Sequence, residues 1–175
     1  MTNAEIVKYL NSHVEPVATS AWYKRIFRAS AYLRDGIYLP CVIFTNTRDY
    51  LNLALHRLEK TSGTEYSEVL KSFIASGNTL ASDDIERVEI SPYALPPSHL
   101  REIANAGETA MGSVSFTAEM ADGSEISFLS TFDIEFFDLP QGYSMDQIVR
   151  VHPHKSLAGK PLRELPAFVC YIHSI

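Results

Sequence analysis

His152-Pro153-His154 is the one closely spaced histidine pair in the chain. In an extended segment, residues two apart project to the same side. Both imidazoles could then ligate a divalent metal, with Asp133 or Glu135 as a third donor, and a metal-bound water would make such a site a hydrolase. The intervening proline restricts the segment to a sheet edge or an extended loop. No further His/Cys cluster supports the site, and a pair of exposed loop histidines is the simpler reading.

Carboxylates make the stronger pattern. Nine acidic residues and no Lys or Arg stand between Glu102 and Val149, with basic residues on both flanks (Lys24, Arg25, Arg28, Arg34, then Arg150, Lys155, Lys160, Arg163). Four of the nine, Glu119, Glu125, Asp133 and Glu135, fall on one side of a predicted hairpin. A surface of this sign speeds encounter with cationic partners. The leading expectation is therefore a non-enzymatic module that engages a basic protein through an acidic sheet face, as inhibitors and immunity proteins do; the analogy is one of electrostatics alone. The blander alternative is a sheet face that carboxylates merely keep solvated. Acid–base work by Asp133 and Glu135 would require one of them to be desolvated, which a polar face does not provide. Asp83-Asp84 reads as a turn cap.

Other motifs carry less. Gly159-Lys160-Pro161 lacks the preceding glycine and the following Ser or Thr of a phosphate-binding loop. An acidic chain whose aromatic residues are not interleaved with its basic ones does not fit nucleic acid. Phe116, Phe128, Phe132 and Phe136 could line a pocket for a small apolar ligand, although a packed aromatic core explains them more simply. No cofactor motif is found.

The elements that must position these residues follow from local signals. Thr2-Asn3-Ala4-Glu5 forms a capping box for a helix with Ile6, Leu10 and Val14 on one stripe, ended by Glu15-Pro16. Asp35-Gly36 predicts a two-residue hairpin turn, which places Phe27, Ala29, Ala31 and Leu33 on one face with Tyr38, Pro40, Val42 and Phe44. Two helices are expected after Thr47 and Thr64, and Trp22 is expected to start a strand. Asp83 to Ile90 fits a short strand or a helical turn, and a short helix runs from Ser98 to Gly107. For the second hairpin, a three-residue Ala121-Asp122-Gly123 loop sets Phe116 opposite Phe128 and Ala118 opposite Ile126. That register segregates apolar from acidic side chains and buries no carboxylate. Pro166 to Ile175 predicts a buried strand. No fixed-period repeat is apparent.

These elements predict an α+β domain spanning residues 1–175, mainly antiparallel sheet built from hairpins around 35–36 and 121–123, with helices packed on one face. The bulk figures agree with a globular chain: 175 residues, 46% hydrophobic, net charge −6 from 15 basic and 21 acidic residues. The longest uncharged stretch, Gly36 to Thr47, is too short to span a bilayer. With no secretory signal in the first residues, Cys41 and Cys170 are expected to be buried thiols in a reducing cytoplasm. Oligomeric state leaves no trace in the sequence.

Overall fold

The computed structural model describes residues 1–17, 26–45, 79–130, 134–159, 161–164 and 170–172. The helices expected after Thr47 and Thr64, the strand start at Trp22, and Phe132 and Asp133 lie outside these residues. In chain order the elements are α1 (Asn3–His13), β1 (Phe27–Leu33), β2 (Tyr38–Ile43), β3 (Thr79–Leu80), a 3₁₀ turn (Ser82–Asp84), β4 (Ile85–Ile90), α2 (Pro97–Ala106), β5 (Val114–Met120), β6 (Glu125–Ser130), a second 3₁₀ turn (Met145–Gln147), β7 (Ile148–Pro153), β8 (Arg163–Glu164) and β9 (Cys170–Ile172). The class is α+β with antiparallel sheets. Two compact units emerge: Met1–Ser91 with Phe168–Ile175, and Pro92–Ala167. No helix among the described residues is long and apolar enough to cross a membrane.

The first unit holds a sheet of order β3-β9-β2-β1-β4, in which β1 is antiparallel to β2 and β4 while β9 runs parallel to β2 and β3. The capping box of α1 forms as expected: Thr2 Oγ1 accepts from Glu5 N and the Glu5 carboxylate accepts from Thr2 N. Those bonds, the Thr2 backbone contact first, hold the Glu5 carboxyl below its ordinary pKa. Ile6 and Leu10 pack from α1 into a core with Phe27, Ala29, Ala31, Leu33, Cys41 and Ile43.

That core corrects the first hairpin. The observed register pairs Phe27 with Ile43, Ala29 with Cys41 and Ala31 with Leu39, one residue away from the two-residue expectation. Leu33 N donates to Ile37 O and Gly36 N to Leu33 O, so the loop is Arg34-Asp35-Gly36, with only Gly36 at positive φ (+88°). Asp35 Oδ1 accepts from Ile37 N and keeps Asp35 out of the left-handed region that a two-residue turn demands of it.

The second unit holds a sheet of order β7-β5-β6-β8. Here the three-residue loop is observed as the sequence pattern dictates, with Phe116 opposite Phe128 and Ala118 opposite Ile126. Its bonds are the same: Met120 N to Ser124 O, Gly123 N to Met120 O, Ser124 N to Asp122 Oδ1, with Gly123 at φ +84°. Phe116, Phe128 and Phe137 pack on one another with centroids 5.0–5.5 Å apart. Gly107 ends α2 at φ +77°, and His99 from that helix approaches Ile148 O of β7 at 3.2 Å.

β6 is described to Ser130, and residues 134–135 are loop and bend. Beyond them Phe136 and Phe137 are both buried, Ala94 bridges to Phe136, and Phe137 N donates to Tyr93 O. Period-two alternation therefore stops before Glu135, a residue expected on the exposed face.

Candidate functional site

The side of the second sheet facing away from the phenylalanine core is built from three cross-strand rows. Nearest the 121–123 loop, Arg150 of β7, Glu119 of β5 and Glu125 of β6 lie side by side. The next row is His152, Thr117 and Ser127. In the third, His154 N donates to Ser115 O, beside Leu129. Alternation along each strand puts every one of these side chains on the same side.

The far end of this side is closed. His154 is 6% exposed and Ser115 fully buried. Ser115 Oγ lies 3.1 Å from His154 Nδ1 and Thr117 Oγ1 lies 2.7 Å from Nε2. Thr117 Oγ1 also lies 2.8 Å from Ser127 Oγ, and Thr109 Oγ1 donates to His154 O while accepting from Ser115 N. One imidazole thus bridges two hydroxyls, an arrangement that orients the ring and satisfies buried polar atoms.

The loop end is open. His152 Nε2 meets Glu119 Oε2 at 3.1 Å, with the two side chains 45% and 37% exposed. Glu125 and Arg150 are exposed on either side. Around the turn, Asp122 accepts from Ser124 N and from the Tyr143 hydroxyl. The Ser124 backbone bond, seconded by the Ser124 side chain, holds the Asp122 carboxyl below its ordinary value. Asp122, Tyr143, Gln141, Gly142, Gln147 and Met120 line a groove of about 300 Å³. Asp146, exposed in the adjoining 3₁₀ turn, adds another acid to this end.

The predicted site residues divide as follows. Glu119 and Glu125 face each other across β5–β6 on the open side, as the chosen register requires. Glu135 does not join them: it is 4% exposed in a bend, where its Oε2 accepts from Ile134 N. The reason is that Glu135 lies in a bend and not in a strand, so strand alternation does not set its direction. Asp133 lies outside the described residues. His152 and His154 share one side, as their spacing predicts. However, both ring nitrogens of His154 contact hydroxyls, Nε2 of His152 contacts Glu119, and Glu135 is turned away as a third donor. No group of three metal-ligating side chains occurs among the described residues. Of the two, only His152 is exposed; continued pairing to Ser115 draws His154 over β5 and buries it.

Sequence reasoning missed Asp122 and Tyr143 as partners and the Ser115–Thr117–His154 network. The Asp-Gly turn marked Asp122, but nothing local marks a tyrosine that reaches it from 21 positions away. No family model, curated protein or solved structure matches this chain.

Proposed function

We propose that the protein is a non-enzymatic binding module that docks a basic segment of a partner protein on the loop end of its second sheet. The reading rests chiefly on the placement of Glu119 directly opposite Glu125. Like charges facing across a sheet destabilise it, and the fold does not require them there. At the matching row of the first sheet, Tyr32 faces Tyr38 with ring centroids 4.4 Å apart and planes tilted by 39°, and the Arg87 guanidinium lies 3.6 Å over the Tyr32 ring. The second sheet keeps the arginine, Arg150, and replaces both rings with carboxylates. A lysine or arginine from a partner relieves that repulsion, and the ionised Asp122 beside the groove offers a second acceptor for it.

The test is titration calorimetry with a Lys/Arg-rich peptide and a panel of basic proteins at rising salt. Binding weakens as salt rises, and Glu119→Lys with Glu125→Lys lowers affinity about tenfold or more, equivalent to about 1.4 kcal/mol. An interaction indifferent to salt, or none with any cationic partner, overturns the reading.

A further inference from the structure

We infer that the chain is built from two copies of one α-β-β-3₁₀-β module, interchangeable down to the side chains of the loop-proximal row. The correspondence is one of register, residue for residue. In the first copy β1 pairs with β4 as Ala29–Ile90, Ser30–Glu89, Ala31–Val88, Tyr32–Arg87 and, after a bulge, Leu33–Ile85. In the second, β5 pairs with β7 as Phe116–Pro153, Thr117–His152, Ala118–Val151, Glu119–Arg150 and, after a bulge at the same place, Met120–Ile148. Bulges are specific features and do not recur in register by default.

Four further features coincide. The hairpin loops share their hydrogen bonds and the Asp-Gly pair. The loop's first residue donates to the end of a 3₁₀ turn in both copies, Arg34 N to Asp84 O and Ala121 N to Gln147 O. A parallel strand joins at equivalent residues, with Cys41 opposite Cys170 and Phe128 opposite Arg163. A helix precedes each hairpin and packs against the third strand, α1 on β4 and α2 on β7. Identities survive where the backbone is most constrained: Ala31 and Ala118, Asp35-Gly36 and Asp122-Gly123, and Asp83, Ile85, Arg87, Val88 matched by Asp146, Ile148, Arg150, Val151. The copies also show where they diverged. Ser30 and Ser91, hydrogen-bonded at 2.8 Å, occupy the positions of Thr117 and His154.

Copy two lags by 87 residues in the hairpin (35 to 122) but by 63 in the third strand (85 to 148). The segment between hairpin and third strand is thus longer in the first copy, and the sequence shows no constant period.

Interchangeability is tested in the full chain by Glu119→Tyr with Glu125→Tyr. If the modules are equivalent, Arg150 stacks as Arg87 does, and Tm rises by about 2–4 °C. The two substitutions are non-additive in a double-mutant cycle, and the gain disappears when Arg150→Ala is added. Glu119→Gln with Glu125→Gln serves as the control: like the tyrosine pair it removes the repulsion and the charge that faces His152, but it supplies no ring and shows no gain that depends on Arg150. A tyrosine pair that is additive, indifferent to Arg150 or unable to fold overturns the inference, because the first copy carries those rings on the same backbone. Loss of basic-peptide binding by the same variant reports on the docking reading by a different measurement, so failure of the one is distinguishable from failure of the other.

Discussion

Thr117 ties the buried end of the second sheet together, since its single hydroxyl serves both His154 Nε2 and Ser127 Oγ. It has one proton to give and so donates to only one of them. Thr117→Val keeps the shape but removes this partner from the buried His154 and the half-buried Ser127, and should cost about 1–3 kcal/mol in denaturant unfolding. Its first-copy counterpart, Ser30, also sits against a hydroxyl, so Thr117→Ser should cost far less. Tyr38 gives a second residue-scale outcome. Burial, more than its contact with Glu89, pushes its phenol up to about 12 from 10.0. Below pH 10 the phenol is protonated in both folded and unfolded chains and its contribution is fully present. As pH rises from 10 toward 12 the unfolded chain releases its proton first, so stability falls across that window. A tyrosine absorbance titration should show a late phenol that Tyr38→Phe removes, together with this part of the alkaline loss.

At the scale of elements, the two hairpins explain what was legible and what was not. For β5–β6 the polarity pattern chose the loop: a two-residue turn would have mixed acids with phenylalanines, and the structure has the three-residue form. For β1–β2 the same test had no power, because Leu39, Cys41 and Val42 are apolar on both sides of the strand and either register buries grease. Asp-Gly alone then favoured the shorter turn, and the Asp35 side-chain bond to Ile37 N decided otherwise. One loop in two places makes a quantitative prediction. A Cβ at Gly36 or Gly123 meets nothing within 4 Å, yet both have positive φ. The cost of Gly36→Ala and of Gly123→Ala is therefore backbone strain alone, about 1–2 kcal/mol, and equal at the two sites. Chemical denaturation should show matched midpoint shifts with unchanged slopes; a large inequality would mean that the loops are not alike.

For the whole molecule, the acidic region was legible as composition but not as a surface. Strand alternation carried Glu119 and Glu125 correctly and failed at Glu135, where no strand remains to alternate. The two-unit organisation was hidden for a different reason: the first unit is completed by β9, which returns from the far end of the chain to pair with both β2 and β3. Such a strand contributes its pairing only after a long loop has closed, and nothing in its local sequence names its neighbours. Its removal should therefore act unevenly. Deleting residues 168–175 exposes the β2 edge and severs β3 from the sheet, whereas β5, β6 and β7 lose no pairing. Hydrogen exchange on the truncated chain should show protection lost for β1 and β2 amides and kept for β5 amides. The bared β2, apolar on both faces, should also promote aggregation. Were β5 to lose protection in step with β1, the two sheets would form one cooperative unit; exchange that separates them would establish that the second sheet, with its acidic loop end, holds its structure without the first.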